Sequence, residues 1–252
     1  NSGDTAGSRD QVVGYGAWVF LEEAAAKPAE GDAGGPGERA AQEDAFAEQT
    51  RALLERHGAT LLHLAAQSIE FGLDHATGLP VNAAGHHHHL NKNGASFVTL
   101  KRDGKLRGCL GTYTAHRPLV VDVVKNGFGA AFKDPRFSRL VHDDLEGLIL
   151  SVSVLSVPSR MTFTDEADLI RQLRPGTDGL IIQDGERRAL FLPAVWTSVP
   201  KPRAFLGHLK VKAKLGADHW SAGFRAWRFI AAEISAEDLE NPGSIWSGRR
   251  RG

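Results

Sequence analysis

Residues 94–113 read GASFVTLKRDGKLRGCLGTY and carry the clearest secondary-structure pattern of the chain. Residues 96–101 alternate between apolar and polar side chains, which is typical of a half-buried strand. Asp103 and Gly104 favour a two-residue hairpin turn, because both residue types tolerate a positive φ. Residues 105–113 supply the returning strand. The stretch therefore predicts an antiparallel hairpin.

Further helices and strands are predicted on both sides of this hairpin. Helical patterns cover residues 43–73, 118–132 and 204–215, and a break in the first is expected at Gly58. Strand patterns cover residues 148–157, 179–183, 189–192 and 224–234, with a turn at Asp184-Gly185. Hairpins mixed with helices indicate an α+β (mixed α/β) fold, in which helices flank a mixed sheet.

The composition excludes several classes of protein. The 252 residues carry 30 Lys and Arg against 30 Asp and Glu, and this net charge of zero disfavours a nucleic-acid partner. A hydrophobic content of 42% argues against disorder. One cysteine, Cys109, excludes an intrachain disulfide and favours a reducing, cytoplasmic location. No apolar run is long enough to span a bilayer, so we expect no membrane partner.

Several ungapped blocks resemble one known family. LRGCLGTY at 106–113, with GASFVTLKRDGK before it and AAFKDPRF after it, strongly resembles the AMMECR domain family. The resemblance continues through LSVSVLSVPSRM at 150–161, DGLIIQDGERRALFLPAVW at 178–196 and FLGHLKVKAKLGADHW at 205–220. One position departs from it: the family usually reads KAGL where residues 212–215 read KAKL, with Lys214 in place of glycine.

The N-terminal sequence carries a second resemblance. NSGDTAGSRDQVVGYGAWVF at 1–20 resembles the last segment of a Memo-family domain, and Memo and AMMECR domains occur fused in one polypeptide. We therefore expect a Memo-like tail at 1–23, a flexible linker at 24–42, an AMMECR domain at 43–236 and a frayed C-terminal tail at 237–252. The strand at 12–20 needs a partner strand in the main domain, another chain or another domain. The metal-site histidines of the Memo fold lie upstream of this segment, so we assign no Memo activity to this chain.

The AMMECR resemblance implies an architecture and a cellular context. It implies a larger and a smaller subdomain with a cleft between them, lined by the Arg107-Gly108-Cys109 segment. It also implies an AmmeMemoRadiSam system, whose partners are a Memo-family domain and a radical S-adenosylmethionine protein. We expect no cofactor. Three functions stay open: an enzyme subunit with a small anionic or carbonyl substrate, a non-catalytic scaffolding module, and an RNA- or nucleotide-binding regulator that the neutral charge disfavours.

Cys109 is the central candidate for catalysis. Alternation along the strand would place Arg107, Cys109 and Gly111 on one face, where the guanidinium would favour the thiolate. Gly108 and Gly111 would leave room for a ligand beside the thiol. His116 and His142 are the available bases for a Cys/His pair. The alternative is a small buried residue in a sheet, since free cysteines are commonly buried.

Four other residues are candidates for substrate binding. Arg136 could bind a carboxylate or phosphate through its fork of donors, or Asp134 and Arg136 could only fix the turn between them. Ser151 and Ser153 share one face of a strand and could line the cleft beside Cys109. A solvated outer face is the alternative that alternation in an antiparallel sheet favours.

Four consecutive histidines, His86 to His89, lie in a predicted loop. Such tracts can bind metal ions. Adjacent loop positions do not define a tetrahedral site, and no carboxylate or cysteine is near them in the sequence. We therefore predict a solvated loop and no metal site.

Overall fold

The computed structural model describes residues 20–21 and 36–246, with side chains from residue 45 onward. Two compact units divide the described chain. Of the described residues, 20–21, 36–157 and 231–246 belong to the larger unit, and 158–230 belong to the smaller unit. This agrees with the two subdomains that the resemblance implies, and the cleft stays a prediction. None of the helices in the described ranges is both long and apolar enough to cross a bilayer.

The described residues form a mixed α+β fold, as predicted. The helices are α1 (Pro36–His75), α2 (Leu119–Phe132), α3 (Glu166–Gln172) and α4 (Pro202–Lys212). The strands of the larger unit are β1 (Phe20–Leu21), β2 (Asn93–Arg102), β3 (Lys105–Gly111), β4 (Arg117–Pro118) and β5 (Leu148–Leu155). Those of the smaller unit are β6 (Ser159–Arg160), β7 (Gly179–Asp184), β8 (Arg187–Phe191) and β9 (Arg225–Phe229). The last strand, β10 (Ala231–Ser235), returns to the larger unit.

The sheet of the larger unit is built around the predicted hairpin. Its strand order is β1-β3-β2-β5-β10, and β4 pairs with the start of β2. The β2–β3 turn has φ of 51° at Asp103 and 71° at Gly104, so the hairpin prediction is confirmed. All pairings are antiparallel except that of β1, whose two residues run parallel to Leu110 and Gly111 at the edge of β3. The rest of the predicted strand 12–20 lies outside the described residues.

Helices α1 and α2 pack against one face of this sheet. Their apolar side chains and those of β2, β3 and β5 form one buried cluster, which includes Leu61, Ile69, Val120, Val98 and Val152. The residues that alternate with Val98 and Val152 belong to the other face of the sheet. This second face carries Thr99, Cys109 and Ser151, and we call it the Cys109 face.

The smaller unit has its own sheet and core. Its strand order is β6-β9-β7-β8, and α3 and α4 belong to the same unit. Seventeen buried residues form the core, in which the rings of Trp196 and Phe205 stack at 3.8 Å. The turn after Asp184 has Gly185 at φ of 57°, so the predicted turn is confirmed.

Four predictions about element boundaries are wrong. The linker predicted at 24–42 overlaps α1, which begins at Pro36. The helix continues through Gly58, where the missing side chain lets Ile234 of β10 approach. The predicted strand 224–234 is two strands, β9 and β10, which pair in different sheets. The tail is not frayed up to residue 246, because Ile245 and Trp246 are buried in the core of the larger unit.

Candidate functional site

The backbone of Cys109 is held at the edge of β3 by the turn that follows α2. The Asp134 carboxylate accepts a hydrogen bond from the Cys109 backbone N–H at 2.9 Å. Arg136 donates to the Asp134 carboxylate at 2.7 Å and to the Cys109 carbonyl oxygen at 3.4 Å. Both side chains are largely buried. Asp134 and Arg136 therefore lie next to Cys109, and they fix the turn to the strand.

A row of polar side chains crosses the Cys109 face. Cys109, Thr99, Ser151 and Ser235 are successive partners in the strand register, and we call them the Cys109 row. The Thr99 hydroxyl lies 3.3 Å from the Cys109 sulfur. Cys109 is 2% exposed and Ser151 is 7% exposed. In the described part of the chain, the Ser151 hydroxyl has no hydrogen-bond partner.

Ser153 belongs to the next row of the same face. It is opposite Phe97, which is itself opposite Gly111. The Ser153 hydroxyl donates to Glu233 of β10 at 2.9 Å. Because Ser153 and Ser151 are both buried, the solvated outer face that alternation favoured for them is wrong.

Arg107 does not follow the simple alternation that the sequence suggested. The register between β2 and β3 shifts after Leu100, so Arg107 is an extra residue in a β-bulge. Its guanidinium donates to the Ser138 carbonyl at 2.8 Å and pairs with Asp144 at 3.0 Å. Among the described residues, none of its hydrogen bonds reaches the Cys109 thiol. Through these contacts, Arg107 holds the loop that precedes β5.

The two glycines beside Cys109 leave no room for a ligand. A Cβ on Gly108 would overlap the carbonyl oxygen of Ala130 in α2. A Cβ on Gly111 would overlap the ring of Phe97. The glycines serve close packing of the protein itself, so the predicted space for a ligand at these two positions is wrong.

Neither predicted base is bonded to the thiol. The His116 ring is 2.9 Å from the Thr114 carbonyl oxygen, and the His142 ring is 3.0 Å from Asp74. Both imidazoles are exposed. A Cys/His pair therefore has no support within the described residues.

A buried polar network beside β2 is absent from the sequence predictions. The Asp122 carboxylate is fully buried and accepts hydrogen bonds from Ser96, Thr112, Arg117 and Asn126. Burial raises the pKa of Asp122, against the opposing effects of these hydrogen bonds and of the Arg117 charge. The network connects the start of α2 to β2 and the end of β3. Its density of contacts indicates a structural role.

Two polar groups of the smaller unit are likewise absent from those predictions. Asp184 accepts hydrogen bonds from His219 at 2.5 Å and from Ser221 at 2.8 Å, and these lower the pKa of Asp184. Since Ser221 donates to the carboxylate and not to the imidazole, the three residues are no nucleophilic triad. Lys210 is fully buried and pairs with Glu166 at 2.8 Å. No pattern in the sequence indicates these partners, because they are distant along the chain.

A cavity of about 1030 Å³ lies beside α1 and α2 in the larger unit. Leu110 and Phe128 contribute apolar surface, while Lys125, Lys133 and Arg139 contribute positive charge. Cys109 does not line this cavity, although its neighbour Leu110 does.

Three histidines that could hold a metal ion come together elsewhere in the larger unit, namely His57, His87 and His89. Two of them belong to the histidine run of the sequence, and His57 belongs to α1. The run alone gave no reason to include His57.

The comparison with protein families agrees with this architecture. A model of the AMMECR1 family matches residues 62–234, which include the β2–β3 hairpin, the smaller unit and Cys109, Thr99 and Ser151 of the Cys109 row. The chain belongs to the AMMECR1 family. Residues 62–234 extend across both compact units, so the family resemblance found in the sequence is confirmed for both.

Relatives within the AMMECR1 family come from archaea. Protein SSO0193 of Saccharolobus solfataricus is 34% identical over 188 residues, which are 68% of this chain and 78% of that protein. Protein LS215_2104 of Saccharolobus islandicus is 37% identical over 141 residues, and the match spans 52% of this chain and 60% of that relative's length. The crystal structure of the uncharacterised protein PH0010 of Pyrococcus horikoshii has a TM-score of 0.67 at 30% identity, covering 73% of this chain and 92% of that one.

Proposed function

We propose that this AMMECR1-family chain is the AMMECR component of an AmmeMemoRadiSam system in the cytoplasm. In this proposal it is an accessory subunit that binds a small substrate and acts with a Memo-family domain and a radical S-adenosylmethionine protein. Membership of the family supports the assignment to the system. The resemblance of residues 1–20 to the end of a Memo-family domain supports the first partner.

The observation that carries the proposed binding site is the Ser151 hydroxyl. The Ser151 residue is 7% exposed and belongs to the Cys109 row, and no hydrogen bond joins its hydroxyl to another described residue. A ligand carbonyl or carboxylate could accept a hydrogen bond from this hydroxyl.

The chemistry of the Cys109 row suits binding better than nucleophilic attack. Thr99, Cys109 and Ser151 offer hydroxyl and thiol groups that can donate hydrogen bonds to a carbonyl or anionic oxygen. An activated thiol needs a neighbouring base or cation. Arg107 is engaged by Ser138 and Asp144, and His116 and His142 bind other groups. We therefore favour the accessory, substrate-binding role over a thiol enzyme with a Cys109-centred cleft.

Complementation tests this site without knowledge of the substrate. The gene for the chain would be deleted in its host, and metabolites that accumulate would be measured by mass spectrometry. Wild-type protein and the control Ser244→Ala, an exposed serine far along the chain, should both remove the accumulated compounds. Ser151→Ala and Cys109→Ser should leave them in place, although both variants still co-purify with the Memo-family and radical S-adenosylmethionine partners.

A non-catalytic scaffolding module is the second candidate. Asp134 and Arg136 both hydrogen-bond to the Cys109 backbone in the described chain. This structural use of their polar groups favours scaffolding over substrate binding. If Ser151→Ala and Cys109→Ser both restore the metabolite pattern of the wild type, the binding site is refuted and scaffolding takes its place. If the wild-type protein did not co-purify with the Memo-family and radical S-adenosylmethionine proteins, the proposed partners would be refuted.

A further inference from the structure

Histidines from two separate parts of the chain meet in the larger unit. His57 is on α1, while His87 and His89 are in the loop between α1 and β2. One ring nitrogen from each lies within 4.8 Å of those of the other two. The ring centroids are 4.5 Å apart for His57 and His87, and 5.0 Å apart for His87 and His89.

Both parts of the chain are held in place. His57 precedes Gly58, whose backbone is buried where α1 approaches Ile234 of β10. In the loop, the backbone N–H of Leu90 donates to the His87 carbonyl oxygen at 2.8 Å. The Leu90 side chain is 1% exposed and belongs to the core of the larger unit. His57 therefore lies on a long packed helix, and His87 and His89 lie in a turn that Leu90 anchors to the core.

Three imidazoles without a carboxylate in their group define the class of ligand. Neutral imidazole suits zinc, copper and nickel, and three histidines with an open fourth position are a known zinc arrangement. Zinc–nitrogen bonds of about 2.0–2.1 Å separate tetrahedral ligand atoms by roughly 3.4 Å. The three nitrogens now lie within 4.8 Å of one another, so they would move closer together when an ion binds.

We propose that His57, His87 and His89 form a three-imidazole site for Zn²⁺ or a similar divalent transition-metal ion, with the fourth position open. The ion would join α1 to the loop before β2. This site is independent of the Cys109 row. It differs from ordinary binding by a run of histidines because one of its ligands, His57, is thirty positions from His87 along the chain.

The dependence on His57 gives the test. The full chain of residues 1–252 would be titrated with Zn²⁺ in competition with a chromophoric chelator, and with Co²⁺ while the visible absorption of a tetrahedral complex is recorded. His57→Gln leaves the run His86 to His89 intact, and it should weaken Zn²⁺ binding by about tenfold or more, since loss of even an outer partner costs 10–100-fold. The matched control His88→Gln should change the affinity by less than about twofold.

Other variants separate loss of the site from loss of the fold. His89→Gln should weaken binding as much as His57→Gln, and circular dichroism spectra of all variants should match that of the wild type. Equal affinities of the wild type and His57→Gln would mean that the histidine run binds metal adventitiously, and would overturn the proposal. Equal weakening of binding by His57→Gln and His88→Gln would overturn it as well.

Discussion

Lys214 follows α4 in a left-handed backbone conformation, with φ of 60°. At this position the resemblance to the AMMECR domain family implies glycine, and helices commonly end in glycine. The conformation costs an ordinary L-residue roughly 1 kcal/mol, because its Cβ approaches the following carbonyl oxygen. The departure from the family pattern therefore falls on a position where the backbone itself favours glycine.

Lys214→Gly should stabilise the smaller unit by about 0.5–1 kcal/mol, because glycine adopts this conformation without strain. Urea unfolding followed by tryptophan fluorescence measures the change. Arg203→Gly is the matched control, since it places glycine at an exposed position in the first turn of α4, where up to about 1 kcal/mol should be lost. If both substitutions raised the free energy of unfolding, or both lowered it, the strain assigned to Lys214 would be contradicted.

Single residues also mark the limit of what the sequence could predict. The turn at Asp103-Gly104 was predictable because both requirements, a positive φ at each position, are properties of adjacent residues. The Asp122 network was not, because its partners Ser96, Thr112 and Arg117 come from β2, the end of β3 and β4. Likewise the histidine run was visible in the sequence, whereas the approach of His57 depends on the packing of α1.

At the scale of elements, the β2–β3 hairpin is placed against α2 by small residues. A Cβ on Gly108 would overlap the Ala130 carbonyl oxygen and lie 3.1 Å from its carbon. These are backbone atoms, so they cannot rotate away as a side chain can. The sequence suggested that Gly108 leaves room for a ligand. In the structure, Gly108 instead allows β3 and α2 to pack closely together.

Gly108→Ala should lower the free energy of unfolding of the larger unit by about 1–3 kcal/mol, as overpacked core substitutions do. Gly207→Ala makes the same substitution inside α4, where nothing lies within 4 Å of the new Cβ. There the change should stabilise by roughly 0.5–1 kcal/mol, because alanine favours the helix. Calorimetric scans of both variants measure the two shifts, and a stabilising Gly108→Ala would show that α2 moves freely relative to β3.

Most elements between residues 96 and 212 could be predicted from periodicity, but strand partners could not. Residues 224–234 form one continuous apolar and aromatic pattern, so they predict a single strand. In the structure, Trp227 is opposite Ile181 and Arg160, while Ile234 is opposite Val152. Periodicity reports which residues are buried, and it carries no information on which sheet buries them. The short helix α3 was not predicted because its one buried residue, Leu169, gives no repeating pattern.

At the scale of the whole molecule, the smaller unit has the form of an insertion. Ser159 near its start pairs with Arg228 near its end, and in the larger unit Leu155 is opposite Ala231. In each unit, therefore, the two strands next to the points where the chain passes between the units pair with each other. Close chain ends and a separate core are the usual marks of a segment that folds by itself. The core of the smaller unit meets that requirement, with Trp196 stacked on Phe205.

Residues 158–230 expressed alone should consequently fold and unfold cooperatively in urea, with the fluorescence of buried Trp196 as the probe. The expected stability is only a few kcal/mol, because a core of this size rarely supplies more. Phe205→Ala removes a fully buried ring and costs about 3–5 kcal/mol, so this variant of the fragment should be unfolded in water. A gradual drift of fluorescence in both fragments would instead mean that the smaller unit depends on the rest of the chain, since a self-sufficient core must lose its packing in one transition.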